Sequence, residues 1–330
     1  MTFRRAAALC AAALAACKGA PEPPAASPAS QTTAPAQAPV GQRSDLACAA
    51  PLDATTAREK VRAPSGHLKL GVVAGLKDAS DENVAHLRNL LGLLRDKGAE
   101  AVVALGDVGD NLDEQAVLLG LLAELKVPVL VVAGNREVRS ELDAAEADLR
   151  KRGTRILDLS HTRTVDLGDA LVVGLAGTMD RRLVHQDGAC VYVQKDIDAL
   201  ATFLDRQGGA PVILAMAVPP RGTDANALDV SEAQNVGDRR IVPLLTPRRA
   251  PFGIFGQVWE SGGRAIDGSG VPVPPGHPSE QLYVNVGAAD RSAWPMADGS
   301  VVRGQAALLS LQGRRASVEM VHLDSTESTR

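Results

Sequence analysis

Aromatic residues are scarce in this chain of 330 residues: they make up 2% of it, as two tryptophans, two tyrosines and four phenylalanines. Stacking surfaces for bases or sugars are correspondingly few. No excess of positive charge compensates, since Lys+Arg number 35 against Asp+Glu 39, a formal net charge of −4. Together these exclude a dedicated nucleic-acid binder. Four cysteines exclude a disulfide-dense scaffold. No run of roughly 20 apolar residues is present, so no segment reads as a membrane-spanning helix. The Gly-x-x-x-x-Gly-Lys-Ser/Thr loop, the Gly-x-Ser-x-Gly elbow and the His-Glu-x-x-His helix are all missing. What is present is a hydrophobic fraction of 45%, normal for a folded domain, and six histidines, numerically enough for a metal site.

The chain opens with Arg4 and Arg5, then an Ala/Leu run over 6–16, and Leu14-Ala15-Ala16-Cys17. This arrangement resembles the lipobox of bacterial lipoproteins, which implies cleavage of a signal peptide (1–16) and lipidation of Cys17. The resemblance implies a lipid-anchored protein of the bacterial cell envelope, facing the outer membrane because Lys18 stands where an inner-membrane retention aspartate would be. The implied partners are the bilayer and either an anionic small molecule or an envelope protein. Residues 17–46 are rich in Pro, Ala, Ser, Thr and Gln and read as a tether. A connecting segment (47–65), a domain (66–324) and a short tail (325–330) follow. Cys48 and Cys190 are either bridged or two separate thiols; the sequence leaves both open.

From residue 67 onward, short apolar strands alternate with helical periodicity. Strands are expected over 68–74, 101–105, 128–133, 170–175, 212–216, 252–255, 281–286, 306–311 and 316–321, the last two joined by a turn at Gln312-Gly313-Arg314-Arg315. Helices are expected over 81–97, 112–125, 138–152 and 196–206. Strands without polar alternation, separated by helices, predict an α/β fold whose sheets are covered on both faces.

Chemistry in such folds gathers at the carboxyl ends of strands. Read in order, those ends carry Ala74-Gly75-Leu76-Lys77, Gly106-Asp107-Val108-Gly109-Asp110, Gly134-Asn135-Arg136-Glu137, Ala217-Val218-Pro219-Pro220, Gly256-Gln257-Val258-Trp259 and Asn285-Val286-Gly287. The series is similar, in order and strand context, to that of the calcineurin-like metallophosphoesterases: Asp-x-His, Gly-Asp-x-x-Asp, Gly-Asn-His-Glu, His-x-Pro-Pro, Gly-His-x-His, then Asn-x-Gly. The likeness covers roughly 66–323. It implies a two-layer β-sandwich flanked by helices, with two metals at one edge that clamp a phosphate and generate a hydroxide.

The departures from that pattern are systematic. Gly75 and Lys77 stand in place of the first aspartate and histidine, Arg136 in place of the catalytic histidine, Ala217 before Pro-Pro, and Gln257 and Trp259 in place of two more histidines. Asp107, Asp110 and Asn135 are retained. Gly75 and Ala217 offer no donor atom, while Lys77 and Arg136 are cations that repel a metal from the same volume. No cofactor is therefore expected; the alternative is one divalent metal (Mn, Fe or Zn) at Asp107 and Asn135. The residues imply a non-catalytic binding or scaffolding pseudoenzyme, against a residual metal-dependent phosphoesterase. Lys77 and Arg136 are expected to pair with Asp107, or with Asp110 as well, and Trp259 to plug the space left by the metals. Of the histidines, His185 beside Asp180 and Asp187, and His161 beside Asp158, read as ordinary loop residues.

Overall fold

The computed structural model describes residues 48–323 apart from 54, 55 and 57. The chain divides into two units, 1–42 and 43–330, and all described residues belong to the second. Strands β1 (Glu59–Lys60) and β2 (His67–Val73) lead into helix α1 (Asp81–Asp96). Then come β3 (Ala101–Leu105), α2 (Leu112–Ala123), β4 (Val129–Val132), α3 (Arg139–Lys151) and β5 (Ile156–Asp158). β6 (Thr164–Asp166), β7 (Leu171–Leu175), α4 (Gln194–Asp205) and β8 (Val212–Met216) follow. A small hairpin, β9 (Val230–Ser231) and β10 (Gln234–Asn235), precedes β11 (Phe252–Phe255), β12 (Arg264–Ile266) and β13 (Leu282–Asn285). A second hairpin, β14 (Ala293–Pro295) and β15 (Val301–Arg303), precedes the closing pair β16 (Gln305–Gln312) and β17 (Arg315–His322).

Two mixed sheets result. One runs β17-β16-β2-β3-β4-β5, and the other β1-β6-β7-β8-β11-β13-β12. The central neighbours, β2 with β3, β3 with β4, and β7-β8-β11-β13, are parallel. Side chains on these strands alternate between two buried environments. Val172, Ile213, Ala215 and Ile254 join the core that also takes Leu70, Val72 and Val103 of the first sheet. Leu171, Val173, Leu214 and Met216 point the other way and pack with Leu200 and Leu204 of α4. Burial on both faces is why these strands show continuous apolar runs rather than polar alternation. On α1, Leu87, Leu90, Leu91 and Leu94 are buried, and the helix gives way to Gly98 at φ 84°.

The short strands β5, β6 and β12 carry three residues each, too few for periodicity to register. The segment before β2 is packed onto the domain. The Ala50 N–H donates to Ser160 O at 2.7 Å, Leu52 is buried, and β1 runs parallel to β6. Arg163 Nη1 donates to Ala50 O at 2.5 Å. Cys48 and Cys190 are joined by a disulfide, with Cα atoms 5.4 Å apart.

These facts correct the expectation of a lipid-anchored lipoprotein of the outer membrane. Cys48, at the start of the described chain, is bonded to Cys190, so neither has a thiol to acylate. No helix among the described residues is long and apolar enough to cross a membrane. The described residues thus supply no cysteine for a lipid anchor, and the signal-peptide, lipid-bilayer and envelope-partner assignments are not retained. Cys17, on which they rested, lies outside the described residues.

Candidate functional site

The ends of β2, β3, β4, β8, β11 and β13 bring the motif residues to one corner. The backbone there is tightly laced. The Gly75 N–H donates to Gly106 O at 3.1 Å, the Lys77 N–H to Asp107 O at 2.9 Å and the Gly256 N–H to Ala217 O at 3.0 Å. Asn83, fully buried on α1, holds the loop after β2 by donating to Leu76 O and Asp78 O, both at 2.7 Å. Lys77, Asp107 and Gln257 all have left-handed backbone, at φ 69°, 54° and 64°. Non-glycine residues adopt this region at a cost, which is tolerated where surrounding structure enforces it.

The two cations each take their own carboxylate. Lys77 Nζ lies 2.9 Å from Asp107 Oδ2, with side-chain exposures of 15% and 7%. Arg136 makes a two-point pair with Asp110, Nε to Oδ1 at 2.6 Å and Nη2 to Oδ2 at 2.7 Å. Arg136 therefore bonds Asp110 rather than the more buried Asp107. The guanidinium beside Asp110 holds its carboxyl below the usual range, against the opposing effect of burial. With both cations committed, neither is spare for the anionic small molecule considered from the sequence.

The Lys77 ammonium also faces two indoles, 4.4 Å from the Trp259 ring centroid and 5.4 Å from that of Trp294. The two rings are 6.0 Å apart and inclined at 48°. Trp294 is fixed by its Nε1 donating to Asp290 Oδ1 at 2.8 Å. Gly75 sits under Trp259: a Cβ there would lie 2.9 Å from Trp259 Cη2, and the glycine has φ +59°. An aspartate cannot return to position 75 without moving that indole. Trp294 was not apparent as a site residue from the sequence; its signal was that it is the second of only two tryptophans.

Of the remaining positions, Ala217 is buried beside Gly106 and contributes only its methyl and its carbonyl. Asn135 donates its amide to Leu183 O at 2.6 Å. Gln257 lines a smaller cavity of about 230 Å³ with Leu183, Val218 and Pro219. The loop carrying His185 covers this part of the corner: the His185 N–H donates to Asn135 O at 3.0 Å, and Gln186 Nε2 to Asp110 O at 2.6 Å. His185 is thus a cover held by its backbone.

Beneath the corner lies Glu137, fully buried, whose carboxylate accepts from the Val108 N–H at 2.5 Å and the Gly134 N–H at 2.7 Å. Burial, reinforced by the negative charge of Asp107, pushes it up to about 7. Glu146 on α3 is likewise pushed up to about 8, by burial and by Asp158. From the ordinary 4.5 up to about 8 the folded chain keeps protons that the unfolded chain has released, so stability falls as pH rises through that window. Asp110 has the opposite sign, and its contribution is lost only at acid pH below that window. Glu146→Gln should flatten the dependence, measured as melting temperature at both ends of the window. An unchanged slope would remove Glu146 from the account.

The fit of a metal can be tested directly. At the corner, the donors present are two carboxylates, Asp107 and Asp110, each already paired to a cation, and the Asn135 amide, already hydrogen-bonded. The residues do not fit a two-metal centre. Elsewhere among the described residues, Asp143, Asp158 and His161 bring ligand atoms within 4.8 Å of one another, which could in principle hold one divalent cation. Arg139 occupies that place electrostatically: it lies 3.0 Å from Asp143 and 3.0 Å from Asp158, and it contacts His161 Nε2. This is a reduced cluster and not a dimetal site.

No family model and no curated protein sequence matches this chain. Solved structures do. One superposes with a TM-score of 0.58 at 15% identity, over 77% of this chain and 98% of its own. TT1561 of Thermus thermophilus superposes with a TM-score of 0.50 at 14% identity, over 76% and 98%. The fold is that of the calcineurin-like metallophosphoesterases. A dimetal phosphatase from Danio rerio is a further match, with a TM-score of 0.45 at 14% identity over 77% of this chain and 98% of its own. At these identities the likeness is one of fold, and activity has to be argued from the residues.

Proposed function

We propose that this domain is a non-catalytic member of the phosphoesterase-like architecture, in which internal cations occupy the corner that metals occupy in an active enzyme, and that it serves as a binding or scaffolding module. The observation that carries this reading is the Lys77 ammonium, 2.9 Å from Asp107 and facing two indole rings. A lysine there does three things a metal would do: it neutralises Asp107, ties the loops after β2 and β3, and fills the volume. It does not do the fourth, which is to acidify a water and clamp a phosphate. Arg136 is a permanent cation and cannot replace the proton-donating imidazole of that position. Three left-handed residues support the reading: the corner keeps a costly backbone where most of the expected ligands are missing.

The test is metal analysis of the purified protein with phosphodiesterase assays in added Mn²⁺. The expected result is well under one metal per chain and no turnover above that of the Asp107→Ala variant. Stoichiometric metal together with turnover abolished by Asp107→Ala would establish a residual hydrolase instead.

A further inference from the structure

We propose that a second cavity, beside the β14–β15 hairpin, binds a small zwitterionic peptide, in the simplest case a dipeptide. The cavity measures about 590 Å³ and opens between that hairpin, β12 and the end of β17. None of the corner residues Lys77, Asp107, Asp110, Arg136 or Trp259 lines it. It goes beyond the pseudoenzyme reading and does not depend on it.

Gln305 is the first residue of β16. Its side chain lines the cavity and the residue is only 9% exposed. Its amide lies flat against three glycine backbones. A Cβ on Gly262 would come to 2.6 Å from Oε1, one on Gly263 to 2.9 Å from Nε2, and one on Gly287 would collide with Oε1. The backbone has thus made room for this amide, which no described residue hydrogen-bonds; its Oε1 and Nε2 are open to the cavity rather than sealed in the core. An amide positioned by the backbone and open to the cavity is free to donate to and accept from a bound ligand.

The charges around Gln305 say what that partner is. Arg264 donates through Nη1 to Ala225 O at 2.7 Å and Ala227 O at 2.8 Å, which leaves the N–H groups of Nε and Nη2 without acceptors among the described residues. Burial pulls this guanidinium below its ordinary range against the opposing charges of Asp298, Asp224 and Asp229, and a bound carboxylate would add to that opposing pull. Arg303 also lines the cavity, and the one hydrogen bond of its side chain to the described residues is a long 3.5 Å approach to Arg291 O. Of the acids, Asp298 Oδ1 accepts from the N–H and hydroxyl of Ser300, and Glu260 Oε1 accepts from the Ser231 hydroxyl, each keeping its second oxygen. Two cations, two anions and an open amide match a ligand with a carboxylate, an ammonium and a peptide group between them. Met296 and Met320 offer adaptable apolar wall for a side chain.

The experiment is calorimetric titration of the full chain with alanyl-leucine, its N-acetylated form and its C-terminal amide. Saturable binding is expected for the free dipeptide, weakened about ten-fold or more by blocking either end, since each block removes a charge-assisted pair. Gln305→Met keeps the volume and removes the unpartnered amide. It should weaken dipeptide binding by about ten-fold while leaving the melting temperature unchanged or higher. Arg303→Ala, an exposed change, should weaken binding without affecting folding. Absence of saturation at millimolar dipeptide, equal affinity in Gln305→Met, or a lowered melting temperature in that variant would each overturn the proposal, the last by making Gln305 a structural residue.

Discussion

Replacing Lys77 with methionine should lower folding stability by about 3 kcal/mol, the cost of leaving a buried carboxylate without its cation. Asp107 is 7% exposed at its side chain, and water cannot take over from the lysine. Arg136 cannot take over either, because both of its bonding nitrogens are engaged by Asp110. The same reasoning predicts the repair: Asp107→Asn in the Lys77→Met background should recover most of the loss, because the uncompensated charge is gone. Asp107→Asn alone should be milder than Lys77→Met, since the ammonium keeps its two indole faces. Urea unfolding of the four chains of this double-mutant cycle measures the coupling directly. A Lys77→Met chain within about 0.5 kcal/mol of the parent would show that the lysine is an ordinary surface residue.

Removing the Cys48–Cys190 bridge, as the Cys48→Ser, Cys190→Ser double variant, should cost about 2–5 kcal/mol. The bridge spans 142 residues, so about half of the described chain lies inside the loop that it closes in the unfolded state. The effect has a location as well as a size. Cys190 lies in the loop that covers Asn135 and Asp110, and Cys48 begins the segment held by Arg163 and Ser160. Hydrogen exchange should therefore accelerate at 48–53 and at 183–190 before it does in the core strands. An unchanged unfolding midpoint would mean that Leu52, β1 and Arg163 hold the segment unaided.

The alternation of apolar runs and helical spacing made the two sheets legible, because strands buried on both faces leave an unmistakable pattern and strand ends mark where chemistry belongs. Short pieces were not legible: three residues, as in β5 or β12, carry no period. The motif positions could be placed from the sequence, but the partition of charge could not. Whether Arg136 reaches Asp107 or Asp110 depends on the loop after β3, which turns through left-handed Asp107, and sequence spacing does not encode that turn. Trp294 escaped notice because it belongs to a hairpin outside every motif and joins the corner only in three dimensions. The expectation of a lipid anchor came from a leader-like pattern alone, and the described chain, with Cys48 bridged to Cys190, does not sustain it.

The pairing of Trp259 with Trp294 has a practical consequence. These are the only tryptophans in the chain, and both face the same ammonium. Indole fluorescence from this protein is therefore a local signal. Its emission comes from a single corner, next to a positive charge, and any event that shifts Lys77, Asp107 or the hairpin behind them changes its colour or intensity without a label being introduced.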